Sequence, residues 1–325
     1  MASCDNMKKH YIKNLKSGDK VDSVFAVKFK KPVRNYVNGY LFEVRVADKT
    51  GEITVKYWGD NDENSVQKLY DDFQKPDVIR VTGTTNEYMG RLEIGVSKTD
   101  RDILEKTKEY DIIDFVKSSE RDIDEMMNEL TGTAESIKNA HLKTLLEKML
   151  KDEKFIDRFK KAPASMMYHQ NCIGGLLEHT LNVVKICETL CDIYPGLDRD
   201  LLVTSSVLHD VGKVFELEVS TVIDVSEDGM LRGHIIIGEE FVNERIKKII
   251  DFPETLRLKL LHMILSHHGE KRFGAPKEPQ LPEGVALHYA DYCDAKVDLF
   301  LKAKSEAKTE DKWIWDRKLG HVYLK

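Results

Sequence analysis

GYLFEVRVADKTGEITVKYWG, residues 39–59, decides how the first third of the chain folds. Successive side chains of an extended strand point to opposite sides, so Tyr40, Phe42, Val44 and Val46 share one face of a first run. Ile53, Val55 and Tyr57 share one face of a second run, and Asp48-Lys49-Thr50-Gly51 between them has turn chemistry. The stretch predicts a β-hairpin with one face buried and one open. Outward from it, residues 21–29, 78–84 and 91–96 have the same β-branched or alternating character, with Met89-Gly90 as a turn and a short helical insertion at residues 64–73.

Five short strands with one helical insertion have the count and order of a five-stranded OB-fold β-barrel, here residues 1–103. Strand parity turns Leu92, Ile94 and Val96 inward and Arg91 and Glu93 outward. The open face of the central hairpin carries Glu43, Arg45, Thr54, Lys56 and Trp58, a ring and two cations suited to a single nucleic-acid strand. Tyr88 and Arg91 border it, and Lys30, Lys31 and Arg34 would extend it. The competing reading is a solvated basic face, with Trp58 packed against the helical connector that follows the barrel.

Residues 104–161 read as a charged helical connector. Asp111 opens a short helix, Ser118-Ser119 resembles a cap, and Leu142, Leu145, Leu146, Met149 and Leu150 form an apolar stripe that packs beneath the following domain. Residues 162–325 read as all-α, with periodic segments at 176–194, 199–209, 234–250, 256–268 and 284–304. Residues 219–225 are expected to form a small hairpin or flap, and 273–282 a loop shaping a substrate entrance.

Histidine and aspartate recur through this half as His179, His209-Asp210, His234, His267-His268 and Asp291. Imidazole and carboxylate suit divalent first-row metals, and seven groups suffice for two ions sharing one carboxylate. One isolated histidine is more often structural than catalytic, and a lone HD dipeptide signals little; the set carries the argument. Lys213, three residues after Asp210, lies on the same helical face, where an ammonium would hold a phosphate oxygen.

GGLLEHT at 174–180, HDVGK at 209–213, GHIIIG at 233–238, SHHGE at 266–270 and LHYADYCDAKVD at 287–298 resemble the HD-domain metal-dependent phosphohydrolases. Their order and spacing, behind an OB-fold, are most similar to the YhaM-type 3′-to-5′ exoribonucleases, and residues 39–59 look like the second and third strands of nucleic-acid-binding OB domains. The resemblance is nearly full length. It implies a first metal held by His179, His209, Asp210 and Asp291, and a second held by His234, His267 and His268, with Asp210 bridging. Gly175 stands four residues before His179, where some HD enzymes with larger clusters place a glutamate, so two metals are expected rather than three. Mn²⁺ is the first choice of ion, with Fe²⁺ and Co²⁺ as others the ligands accommodate. Asp210 and Lys213 are then catalytic, and His169 and His288 are candidates for orienting ligands or protonating a leaving ribose oxygen.

Composition limits the alternatives. The 325 residues allow about two domains, 41% hydrophobic residues are ample for their cores, and 33% charged residues with no long apolar run exclude a membrane span. The start has no signal-peptide core, so a cytoplasmic protein is expected. Five cysteines without a CxxC pair indicate neither a disulfide framework nor a zinc ribbon; Cys187 and Cys191 are expected to be packing residues. Net charge is −6, with +2 in residues 1–103 and −8 in the remainder. Two divalent ions would offset half of that deficit, so acidity does not exclude a phosphate substrate.

The expectation is a metal-dependent 3′-to-5′ exonuclease acting on single-stranded RNA, with single-stranded DNA as a second polymer, and releasing nucleoside 5′-monophosphates. Two other classes compete: a hydrolase of small nucleotides whose barrel serves regulation, and a single-strand-binding adaptor with a vestigial HD site.

Overall fold

A computed structural model describes residues 8–98, 102–166, 170–307 and 309–325. The chain forms two compact units, residues up to Lys117 with Ser220–Val222, and Ser118–Val219 with Ile223–Lys325.

The first unit is a closed barrel. Strands β1 (Lys20–Tyr36), β2 (Gly39–Asp48), β3 (Gly51–Trp58), β4 (Val78–Tyr88), β5 (Arg91–Ser97) and β6 (Ile103–Thr107) are ordered β1-β2-β3-β5-β4-β6, with helix α1 (Glu63–Asp71) between β3 and β4. Closure comes from the length of β1. Its first part pairs with β4, Lys20 opposite Thr84 through Ala26 opposite Val78, and its second part pairs with β2 as far as Tyr36 opposite Gly39. The ladder slips between Lys31 and Arg34, where Pro32 has no N–H to contribute. Phe25, Phe42, Val44, Val55, Ile79, Ile94 and Val96 are fully buried inside, each large ring or aliphatic chain contributing about 1.5–3 kcal/mol. At the hairpin turn the buried Asp48 carboxylate accepts from Thr50 N at 2.8 Å and Ile12 N at 2.9 Å, and lies 2.9 Å from the buried Lys8 ammonium.

The helical expectation for the segment after residue 102 fails at its start. Ile103–Thr107 is a strand that pairs with β4, and the barrel unit continues to Lys117. An open edge on β4 outweighed the local charge of this segment.

The second unit is helical: α2 (Ile123–Ser136), α3 (Ala140–Leu150), α4 (Glu153–Lys161), α5 (Gly175–Ile193), α6 (Arg199–Leu208), α7 (Lys213–Glu216), α8 (Glu227–Ile246), α9 (Glu254–Ser266) and α10 (Pro282–Glu306). Two small hairpins interrupt it, β7 (Leu217–Val219) with β8 (Ile223–Val225), and β9 (Trp313–Asp316) with β10 (Gly320–Tyr323). Asp122, rather than Ser118-Ser119, caps α2 by accepting from Asp124 N and Glu125 N. Ser119 instead donates to Glu178 at 2.7 Å. Leu142, Leu145, Leu146 and Met149 of α3 join Leu176, Leu177, Leu202, Leu208 and Ile264 in one apolar core. No helix among the described residues is long and apolar enough to cross a membrane.

Candidate metal centre and nucleic-acid face

Two close approaches between backbones and one kink set the positions of the ligand candidates. A Cβ on Gly212 would lie 1.9 Å from His234 O, so the turn after His209-Asp210 packs directly on the segment carrying His234. Gly233, at φ +71°, breaks the helical path of α8 just before His234. A Cβ on Gly175 would lie 1.9 Å from Gln170 O, which leaves no room for any side chain at the start of α5.

These helices bring the seven candidates into two groups whose ligand atoms all lie within 4.8 Å of one another: His179, His209, Asp210 and Asp291, and Asp210, His234, His267 and His268. Asp210 belongs to both. Its Oδ2 lies 3.6 Å from His179 Nε2 and 3.4 Å from His209 Nε2, while Oδ1 lies 3.5 Å from His234 Nε2 and 3.4 Å from His267 Nε2. His179 Nε2 is 3.2 Å from Asp291 Oδ1. Donors bound at about 2.1 Å to a common ion sit roughly 3.0–3.4 Å apart, close to these separations.

Each of the five histidines is held at Nδ1, with Nε2 left toward the centre. His209 faces Ser206 O at 2.7 Å, His267 faces Ile264 O at 2.7 Å, and His268 faces Phe273 O at 2.9 Å. His179 faces Asp294 Oδ2 at 2.7 Å and His234 faces Glu216 Oε1 at 3.2 Å. A carbonyl can only accept, so at His209, His267 and His268 Nδ1 carries an N–H toward it and Nε2 is turned to the cluster. Asp210 Oδ1, His234 Nε2 and His267 Nε2 are buried without a hydrogen-bond partner. Orphaned acceptors converging on one point are costly unless a cation fills it, and the donor set fits divalent metal.

Electrostatics agree at Asp210, Asp291 and His268, while His179 holds a proton that a bound cation would displace. Burial opposes ionisation of Asp210, yet Lys213 and His209 hold its carboxyl well below the usual range. Burial likewise opposes the charge on Asp291, and His179 and His209 overcome it, keeping that group ionised. At His179 burial works downward, but hydrogen bonds to Asp291 and Asp294 win and push it up to about 9. Burial, then His267 and His234, take His268 down to about 3, so it stays neutral and ready to ligate.

Lys213 is buried with its ammonium 2.5 Å from Asp210 Oδ2, so its first partner is the shared carboxylate rather than an open phosphate position. His288 faces His267 O at 2.9 Å through Nδ1, steadying the paired-histidine segment. A Cβ on Gly269 would meet its ring at 2.5 Å. His169 lies outside the described residues.

Sequence reasoning missed Asp294 and Glu216. Asp294 also accepts from Asn182 Nδ2 at 3.0 Å and Gln170 Nε2 at 3.1 Å. A usable signal existed, because Asp294 follows Asp291 by three residues on one helix, and neighbours at that spacing share a face.

On the barrel, the outward face holds fewer open cations than expected. Lys56 is mostly buried, 3.3 Å from Glu93 and near the rings of Trp58 and Tyr88, at 5.3 and 5.2 Å. Arg45 donates to Glu52 and Thr54, and Lys31 and Arg34 both bind Glu43. Lys30 is not on this face; its ammonium donates to Tyr70 O and Phe73 O, anchoring the end of α1. Trp58 is half-buried with Tyr36 edge-on at 5.0 Å, while Tyr88 and Arg91 are exposed. The face is therefore a ring cluster, Tyr36, Trp58 and Tyr88, around a paired lysine.

Comparison with known proteins places the chain. The HD-domain family profile matches residues 176–296. The 3′-5′ exoribonuclease YhaM of Shouchella clausii is 31% identical over 297 residues, covering 90% of this chain and 88% of the relative. The chain belongs to the YhaM 3′-5′ exoribonuclease family. The YhaM protein of Bacillus subtilis is 29% identical over 293 residues, covering 90% of both chains, and that of Listeria welshimeri 31% identical over 264 residues, covering 80% of both. In this YhaM-family chain the matched HD profile spans every candidate ligand on α5 to α10, and the barrel precedes it.

Proposed function

We propose that the protein is a metal-dependent 3′-to-5′ exoribonuclease that degrades single-stranded RNA, with single-stranded DNA as a second polymer, to nucleoside 5′-monophosphates. The observation that carries this reading is Asp210, whose two carboxylate oxygens each face a separate group of ligand atoms. Two ions are favoured over three because a Cβ at position 175 has no space. Mn²⁺ is the preferred occupant, with Fe²⁺ and Co²⁺ compatible with the same imidazole and carboxylate set. Divalent ions bound there would polarise phosphoryl oxygens and supply a water nucleophile at neutral pH.

The chain's own residues do the rest. His179, His209, Asp210 and Asp291 hold one position, and His234, His267 and His268 with Asp210 hold the other. Lys213 keeps Asp210 ionised, and its ammonium has further N–H groups for a non-bridging phosphate oxygen. His288 holds the His267 backbone and so acts as a positioning residue. The barrel grips the strand through Trp58, Tyr88, Arg45, Lys56 and Arg91. Every base has a π-face, so little sequence preference is expected.

The test is incubation with 5′-labelled single-stranded RNA and Mn²⁺, with and without chelator, resolved at single nucleotides. A chelator-sensitive ladder shortening from the 3′ end is expected. RNA left intact across several metals would overturn the reading in favour of a small-nucleotide hydrolase or a binding protein.

A further inference from the structure

The C-terminal hairpin of β9 and β10 lies beyond the span of the HD profile, and it carries an unusual surface. Trp313 pairs with Tyr323 and Trp315 with His321 across the ladder, so all four rings share one face. That face is open, with Trp313 56%, Trp315 70% and Tyr323 49% exposed. The rings pack in two rungs, Trp313 with Tyr323 at 4.9 Å and Trp315 with His321 at 4.8 Å between centroids. The opposite face holds Ile314 and Val322, the latter buried, so the hairpin has a seated side and an aromatic side. Two of the chain's three tryptophans are on this small element. Exposed aromatic surface of this density marks a contact site.

Charge selects the partner. Exposed Lys312 precedes β9 on the parity of Ile314, exposed Arg317 and Lys318 sit in the turn and exposed Lys325 follows β10, so that four cations stand against the exposed Glu310 and Asp311 at the two ends of the aromatic face. The one strand carboxylate, Asp316, has the opposite parity and caps the turn, accepting from Lys318 N at 2.7 Å and Leu319 N at 2.9 Å. Neither strand therefore puts an acid on the aromatic face. Successive same-face residues on a strand are about 7 Å apart, twice the roughly 3.4 Å rise of stacked bases, which suits splayed bases of a single strand.

The geometry points to a second single-stranded RNA contact on this hairpin, with bases stacking on Trp313, Trp315 and Tyr323 and phosphates meeting Lys312, Arg317 and Lys325. It rests on the reading of the protein as an RNA exonuclease, and adds a stacking platform on the unit that carries the metal centre.

Binding of a labelled 20-nucleotide oligoadenylate to the full chain, measured under chelator so that nothing is cleaved, tests it. Trp313→Ala/Trp315→Ala is expected to weaken binding at least about tenfold, and Trp313→Phe/Trp315→Phe to restore most of it. Lys312→Glu/Arg317→Glu, which leaves the rings in place, should also weaken binding and flatten its salt dependence by about 1.4 in log–log slope. In a Trp58→Phe background, where only the hairpin tryptophans emit, the oligonucleotide should quench fluorescence. Unchanged affinity in both double variants, or no quenching, would overturn the proposal. So would sedimentation showing that the tryptophan variants only dissociate an oligomer, because the rings would then belong to an interface between copies. If the parent neither binds nor degrades RNA, the functional reading itself falls; a parent that degrades RNA beside variants that bind it normally removes only the hairpin site.

Discussion

At the scale of single residues, the centre depends on charges that only their neighbours make tolerable. Asp210→Asn keeps the volume but leaves Lys213 buried without its counter-charge and halves the bridging capacity of the site. Hydrolysis should fall to background and bound metal below one ion per chain by elemental analysis, while RNA binding under chelator persists. Asp294 contributes by orienting His179, so Asp294→Asn should lower metal affinity about 10–100-fold in a chelator-competition titration, with the fold retained. In the barrel, hydrogen bonds from Arg80 and then Lys9 lower Asp22 from 3.8 to about 2. A depressed carboxylate stabilises the fold above its unfolded value, so this contribution is full above about pH 4 and is lost as pH falls through about 2. The barrel's melting temperature should drop more steeply from pH 4 to 2 than that of Asp22→Asn, and the two should converge near pH 2. The ligand candidates were readable as residues because histidine and aspartate are rare enough to stand out. Glu216 was not, since a carboxylate among 56 acidic residues acquires meaning only from the imidazole it faces, and Asp294 carried only its three-residue spacing from Asp291 as a signal.

Among elements, the short glycine contacts decide where helices stop and meet. Gly212→Ala would drive a Cβ into His234 O, separating α7 from α8; it should cost about 1–3 kcal/mol and reduce metal binding, measured by thermal unfolding and metal titration. Gly132, exposed within α2 with open space where a Cβ would stand, is the control. Gly132→Ala should stabilise by about 0.5–1 kcal/mol through helix propensity alone. Periodicity located four of the five ligand-carrying helices within a few residues, because each presents an apolar stripe to one core, but it began the helix at Glu227–Ile246 seven residues late, at His234. It missed strand β6, whose Ile103-Leu104-Glu105-Lys106-Thr107 has too little pattern by itself and is a strand because β4 offers it an unpaired edge. It also missed the kink at Gly233, which depends on the packing of His234 against the HD turn.

For the whole molecule, the proposed function assigns strand binding to the barrel unit and hydrolysis to the helical unit, and substitutions in each unit test the two parts separately. Trp58→Ala removes the ring at the centre of the barrel's aromatic cluster and should weaken single-stranded RNA binding by about 1–3 kcal/mol, read as the shift in a binding titration under chelator. The amino-acid sequence by itself determined the two fold classes, the strand faces of residues 39–59 and the identity of the seven candidate ligands. Alternation and helical period are local properties, and the chemistry of imidazole and carboxylate belongs to the side chain. Only the tertiary structure decided that Asp210 divides its oxygens between two groups, that Lys213 directs its charge to that carboxylate, and that Lys31, Arg34 and Lys56 are paired with Glu43 and Glu93. Apart from the Lys213–Asp210 pair, three residues apart, those outcomes depend on distances between atoms separated along the chain. Coulombic and hydrogen-bonding partners are chosen by proximity in space, which no spacing along the sequence specifies.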